Sequence, residues 1–383
     1  MSESSVITNK CPNCGGPLFF EPKDQQFHCE YCGSTFTETQ VNEIAKKQAD
    51  TGIKTEAPID EKALENTATA STADAVSTDE KVQTEKPDEK SQVGIFLCPS
   101  CGAEIVTDAT TASTFCFYCQ NPVILTDRLS GEFLPEKVLP FQIERQEAEE
   151  EFLDWVGKKK FVPKAFFNKK QIEKLSGVYF PYWAVDADLT GDLTARGRNI
   201  RVWVQGDTEF TETSDYQITR AGDSHLSDLV KNALRKNLAD KMVGAVEPFD
   251  LTQTKPFKNQ YLSGFLTEKR DIEFPEMKSK VEQEVQNYAA QMMQNTIHGY
   301  TTVTRVSANQ TLQDMKEAYV LLPIWLVTYR QAGSDKLFYY AMNGQTGKVA
   351  GVLPIDKSKL AWVTALLFLL ILAIGLGVGY FLS

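Results

Sequence analysis

The chain has 383 residues and a net charge of −11 at pH 7, a length that suits two or three folded units. Residues 1–124 hold nine lysines, no arginine and 19 carboxylates, so the acidity sits in the N-terminal third while the rest is close to neutral. That balance argues against a chain gripping nucleic acid through phosphates, a task dominated by Lys and Arg. The polar start, Met1 to Lys10, has no apolar core of a secretory signal.

The eight cysteines fall into two identical patterns. Cys11, Cys14, Cys29 and Cys32 form C-x2-C-x14-C-x2-C, and Cys98, Cys101, Cys116 and Cys119 repeat it with the same central gap. Two CxxC pairs at this spacing are the ligand set of a structural zinc site. Two ribbons, each holding one zinc ion through four thiolates, are expected. Two pairs of disulfides would need an oxidising compartment, and cysteine used only at metal spacing points to a reducing one. Gly15, Gly33 and Gly102 follow CxxC turns, where a positive φ lets the backbone wrap the metal.

The first ribbon spans residues 6–37, with Phe19, Phe20, Phe27 and Phe36 as its small core. Burial alone cannot fold so short a unit; metal binding, worth about 10–16 kcal/mol in zinc-finger peptides, can. His28 beside Cys29 is expected as a strand residue, since four thiolates already fill the site. Residues 38–93 contain no aromatic residue and are rich in Glu, Lys, Thr, Ala and Ser. They are expected as a disordered acidic linker, with a short helix near Val41–Lys47, that frees the first ribbon from the body. Residues 95–126 form the second ribbon, whose Phe115, Phe117 and Tyr118 suit either a core or a protein-docking tip. Neither ribbon carries a basic face.

Residues 130–356 read as an α+β body. Pro135–Phe141 suits a short strand and Glu144–Val156 a helix, with Ala148, Phe152, Trp155 and Val156 on one stripe. A lysine cluster follows, from Lys158, Lys159 and Lys160 through Lys164, Lys169 and Lys170 to Lys174, interleaved with Phe161, Phe166 and Phe167. A solvated basic surface is one reading of it, contact with anionic headgroups is a second, and single-stranded nucleic acid is a third. Phe180-Pro181-Tyr182-Trp183-Ala184-Val185 is echoed by Leu322-Pro323-Ile324-Trp325-Leu326-Val327, which predicts two related strand-rich units separated by helices. In the first unit, Leu193–Val204 and Phe210–Arg220 form a hairpin across Gly206-Asp207. In the second, Leu337–Met342 and Lys348–Leu353 flank a turn at Asn343–Gly347. Helices are expected at Ser227–Lys241 and Phe274–His298, the latter with Met277, Val281, Val285, Tyr288 and Met292 inward.

Residues 361–382 are apolar without a charge. At about 1.5 Å per residue this stretch reaches about 33 Å, enough to cross a hydrocarbon core of about 30 Å. Lys357 and Lys359 precede the span and only Ser383 follows, so a tail-anchored, single-pass protein of the cytoplasmic membrane is expected, its body in the cytoplasm. Gly375 and Gly379 form a G-x-x-x-G pair through which such helices associate.

Catalytic signatures are missing. Asn343-Gly344-Gln345-Thr346-Gly347-Lys348 has its glycines too close for a P-loop and Val349 where Ser or Thr belongs. Asp186 and Asp188 read as solvated strand carboxylates. No catalytic set remains, and no enzyme is expected.

The twin ribbons, Gly177-Val178-Tyr179-Phe180-Pro181-Tyr182-Trp183, Glu247-Pro248-Phe249-Asp250 and Tyr340-Ala341-Met342-Asn343-Gly344-Gln345-Thr346-Gly347-Lys348 together resemble bacterial membrane-anchored TFIIB-type zinc-ribbon proteins. Members of that family often carry primosomal protein N′-like or replication factor Y-like labels. Some relatives are associated with membrane-stress modules of the phage-shock type, so the resemblance implies a role in such a module. The expected function is a non-catalytic adaptor that recruits or assembles protein partners at the membrane; the alternative is a membrane-tethered nucleic-acid-binding factor of replication or transcription.

Overall fold

The structure, a computed structural model, describes residues 6–50, 94–116, 118–163, 175–235, 244–330 and 337–382. In chain order the first part gives β1 (Val6–Ile7), β2 (Leu18–Glu21), β3 (Gln26–Cys29), β4 (Thr35–Phe36) and α1 (Glu38–Asp50). The second cysteine region gives β5 (Gly94–Leu97), β6 (Glu104–Thr107), β7 (Thr111–Phe115) and β8 (Pro122–Leu125). The body gives β9 (Lys137–Val138), α2 (Arg145–Gly157), β10 (Ser176–Gln205), β11 (Thr208–Asn232), β12 (Lys255–Pro256) and β13 (Leu266–Glu268). After them come α3 (Phe274–Gln294), β14 (Thr302–Arg330), β15 (Leu337–Asn343), β16 (Val349–Val352) and α4 (Lys357–Leu382).

The 30-residue β10 is the axis of the main sheet. Its composition sets a gradient of burial along its length. From Gly177 to Trp183 every residue is buried, so both faces are covered. From Val185 to Ala195 the odd positions Val185, Ala187, Leu189, Leu193 and Ala195 are buried while Asp186, Asp188 and Thr190 face solvent, the alternation of a sheet covered on one side. From Arg201 to Gln205 nothing is buried, and β10 and β11 run on as a bare hairpin turning at Gly206, φ 63°. Helix α3 covers the one-sided stretch with Val281, Val285, Ala289 and Met293. A capping box between Glu273 and Glu276, with Pro275 just inside, starts that helix.

β14 pairs with β10 antiparallel from Leu326↔Ser176 to Thr302↔Arg198. Pro181 therefore faces Leu321, and Pro323 faces Tyr179: the two echoed segments are neighbours in one sheet rather than parts of two separated units. Their relation is still visible in what the tryptophans do. The Trp183 indole donates to the Ile272 carbonyl (3.0 Å), two residues before α3. The Trp325 indole donates to the Ile143 carbonyl (3.0 Å), two residues before α2. Each echo strand thus fixes the start of one helix.

Three further expectations are corrected. Residues Ser227–Asn232 belong to β11 and not to a helix; residues 236–243 lie outside the described residues. Between Val185↔Leu229 and Ala187↔Leu226, β11 uses one residue more than β10, a bulge centred on Asp228 at φ 61°. The bulge puts Leu226 and Leu229 on one face at a spacing of three, which imitates a helical pattern. In α3, Tyr288 and Met292 are exposed and Ala289 and Met293 take the inward places. The linker expected at 38–93 is also altered: Glu38–Asp50 is the helix α1, and residues 51–93 lie outside the described residues.

One helix among the described residues is long and apolar enough to cross a membrane, Lys357–Leu376 within α4, and none of that segment is buried against the body. Gly375 faces open space.

Candidate metal centres

Each cysteine pair is carried on the same turn. The Cys11 amide donates to Gly16 O and the Gly15 amide returns to Cys11 O; Cys29, Gly33 and Ser34 repeat this, as do Cys98, Gly102 and Ala103. At the fourth turn the Cys116 amide donates to Asn121 O and the Gln120 amide to Cys116 O. Gly15, Gly33 and Gly102 have φ of 73°, 69° and 74°, and Gln120 holds the equivalent place at 60°. The sequence pattern missed this fourth turn because no glycine marks it. A non-glycine residue there works against a steric preference of about 1–2 kcal/mol, partly offset by glycine's larger unfolded-state entropy. Gln120→Gly is therefore expected to stabilise the second region by about 0.5–1 kcal/mol, read as a higher denaturant midpoint for loss of its bound metal.

The turns bring each quartet together. All four sulfurs of Cys11, Cys14, Cys29 and Cys32 lie within 4.8 Å of one another, and so do those of Cys98, Cys101, Cys116 and Cys119. Across the pairs, Cys11–Cys32 is 3.6 Å, Cys14–Cys29 3.4 Å, and Cys98–Cys119 and Cys101–Cys116 are each 3.7 Å. Four sulfurs about 2.3 Å from a central ion at tetrahedral corners stand about 3.8 Å apart; a disulfide needs about 2.05 Å. No disulfide joins these cysteines, and each quartet could hold one metal ion.

Thiol electrostatics fit that use. The hydrogen bond with the Ser34 hydroxyl draws Cys32 down to about 6. Cys14, against the opposing backbone bond at Gly16, is pushed up to about 12 by Cys29 and Cys32. In the second quartet burial raises Cys119 to about 12, with Cys101 and Cys116 adding to it. Cys116, against its burial, falls to about 7 through the Cys119 and Tyr118 amides. Four thiolates side by side repel, and a bound dication removes that repulsion. His28, in β3, is not part of the set: its Nε2 lies 2.8 Å from Asp24 Oδ2.

Both centres are joined to the main sheet. β1 pairs with β8 (Val6↔Leu125), β8 with β7, β7 with β13, and β13 with β10. The first centre's sheet, β2-β3-β4, packs on the body through Phe20 and Phe27, whose rings meet Tyr261 at 5.3 and 6.2 Å. The Tyr261 hydroxyl donates to Glu38 at 2.7 Å, Lys258 pairs with Glu38, and the Phe20 amide donates to Ser263 O at 3.0 Å. The first centre is docked on the body.

Several charged groups are engaged. Lys23 pairs with Glu144 (3.4 Å), and Arg128 lies over the Phe96 ring and donates to Thr111 O (2.7 Å). Asp188 holds His225 (2.7 Å), and Asp186 accepts from the Asp228 amide (3.0 Å). Lys158, Lys159 and Lys160 follow α2, whereas Lys164, Lys169, Lys170 and Lys174, with Phe166, Phe167 and Phe117, lie outside the described residues. Two tyrosines stand out: Tyr31 and Tyr118 occupy the same place in C-x-Y-C, and they are 73% and 77% exposed.

No family model matches the chain, and no solved structure matches it. It is 32% identical over 238 residues to the uncharacterized protein YdjG of Bacillus subtilis (strain 168), covering 62% of this chain and 69% of that protein. The chain belongs to the same family as YdjG.

Proposed function

We propose that this protein is a non-catalytic zinc-ribbon adaptor, anchored in the cytoplasmic membrane by α4, with its body in the cytoplasm. The observation that carries this reading is the chain's continuity. Two four-cysteine centres are joined to one sheet, and the last strand of that sheet, β16, is separated by four residues from an apolar helix. Zinc is the proposed ion at each centre, because four thiolates at tetrahedral spacing suit it and fix structure without open coordination positions. Lys357 and Lys359 in the first turn of the helix support the orientation. The resemblance to membrane-anchored TFIIB-type zinc-ribbon proteins supports a role in a membrane-stress module.

Protein partners are proposed over nucleic acid. Residues 6–37 carry two lysines, Lys10 and Lys23, of which Lys23 is matched to Glu144, and residues 95–126 carry no Lys or Arg. Tyr31 and Tyr118 instead present matching amphipathic tips, a residue type enriched at protein interfaces. The test is capture of the full chain from solubilised membranes beside Tyr31→Ala/Tyr118→Ala. Wild type is expected to contain two zinc ions and to retain a partner. The double variant is expected to keep both ions and lose that partner. Tight, salt-sensitive binding of single-stranded DNA would favour the nucleic-acid reading.

A further inference from the structure

Where α2 ends and α4 begins, the molecule has a cleft of ≈ 530 Å³. Its floor is apolar: Trp155, Phe161, Leu353, Ile355 and Leu360. Its rim is cationic, formed by Lys158, Lys159 and Lys160. Lys158 is bonded to Asp154 (2.5 Å), and Lys159 sits 5.2 Å above the Trp155 ring. The rim is tied to the helix. The Asp356 amide donates to Phe161 O (2.7 Å), Lys359 Nζ donates to Val162 O (3.1 Å), and Asp356 Oδ1 caps the first turn through the Ser358 and Lys359 amides (3.1 Å each). The lysines therefore stay beside the point where α4 would enter a bilayer.

From Leu360 one open face of α4 continues past the small side chains of Ala361, Thr364 and Ala365 to Phe368. From Lys357 to Phe368 the helix rises about 16 Å, close to half of a hydrocarbon core of about 30 Å. A cationic rim, an apolar floor and a helix face of small side chains about one leaflet long follow one another along the same surface. Free phosphate would use only the rim, and a neutral lipid only the floor and the helix face.

We propose that this root of α4 binds one anionic glycerophospholipid from the leaflet on the body's side. Its phosphate meets Lys158–Lys160, its glycerol region covers Trp155 and Phe161, and one acyl chain lies along Ala361 and Ala365. The site rests on the reading that α4 spans a membrane.

The experiment places the full chain in nanodiscs of phosphatidylcholine containing one-fifth phosphatidylglycerol and releases it for native mass spectrometry. Wild type is expected to retain one phosphatidylglycerol per chain in clear excess over phosphatidylcholine. Lys158→Gln/Lys159→Gln/Lys160→Gln is expected to lower that preference at least about tenfold, since each lysine near an anionic surface contributes to it separately. Ala361→Leu/Ala365→Leu, which enlarges the side chains on the helix face and leaves the rim intact, is expected to lower retention of the lipid. Equal retention of both lipids by wild type, or a preference unchanged in the triple-lysine variant, would overturn the site. Binding of inorganic phosphate in detergent as tightly as phosphatidylglycerol would also overturn it, as would a second copy covering the helix face in pure phosphatidylcholine. Alkaline extraction separates this from the anchor: wild type stripped from the bilayer ends the membrane reading, whereas an embedded protein without lipid preference ends only the site.

Discussion

Cys98→Ser/Cys101→Ser is expected to unfold residues 94–125 and to loosen the main sheet where the second centre joins it. The buried cluster there is six residues: Phe96, Cys98, Ile105, Cys116, Val123 and Leu125. Four of them, Phe96, Ile105, Val123 and Leu125, are apolar side chains, each contributing about 1.5–3 kcal/mol on full burial, roughly 6–12 kcal/mol together. Ordering some 30 residues of backbone opposes it with at least about 30 kcal/mol. Metal binding of about 10–16 kcal/mol closes most of that gap, and without it the region cannot hold its shape. The effect should pass from β7 to β13 through Ser113↔Thr267 and stop before α3, which is packed on β10 and β14 independently. Amide exchange would show this as lost protection over 94–125 and Leu266–Glu268, with Phe274–Gln294 unchanged. Acid should act in the same direction, because protons compete with the metal for thiolates. Protection that survives in the variant, with two metal ions still bound, would refute the account.

How much of this was legible in the sequence depended on how local the physics is. The cysteine quartets were visible because each turn joins residues three apart and glycine marks three of the four positive-φ positions. Gln120 was invisible, since nothing in its side chain announces the conformation. Helix α2 was legible because Ala148, Phe152 and Val156 repeat at four residues and are buried. The end of β11 was not: its bulge at Asp228 shifts the strand's phase, so a two-residue period reads locally as three or four. The echoed proline segments announced a relationship but not their mutual pairing, which is made across about 140 residues of chain. Docking of the first centre was least legible. Its contacts join residues more than 200 positions apart, such as Glu38 with Tyr261, and the acidic, aromatic-free stretch between the two cysteine patterns suggested independence.

Tyr261→Ala is expected to undock the first centre without unloading its metal. Tyr261 is 1% exposed, its ring is wedged against Phe20 and Phe27, and its hydroxyl donates to Glu38. Emptying a buried aromatic site costs about 3–5 kcal/mol. Losing the hydroxyl also removes a partner from the Glu38 carboxylate, which, against the effect of burial, Lys258 and Tyr261 hold below its ordinary range. A depressed carboxylate adds docking strength above its ordinary titration range, and that strength is lost as pH falls through the depressed value. Undocking should therefore be promoted by acid in wild type and be less pH-sensitive in the variant. The measurement uses a specific protease site inserted between residues 51 and 93. After cleavage at neutral pH, the wild-type fragment carrying Cys11–Cys32 is expected to stay with the rest of the chain through size-exclusion chromatography. In Tyr261→Ala it should separate while still carrying one metal ion. Tyr261→Phe, which keeps the ring and loses the hydroxyl, should fall between the two. Co-elution of the Tyr261→Ala fragments would show that the β1–β8 pairing holds the first centre in place without this contact, and separation of the cleaved wild type would show that the chain connection alone holds it there.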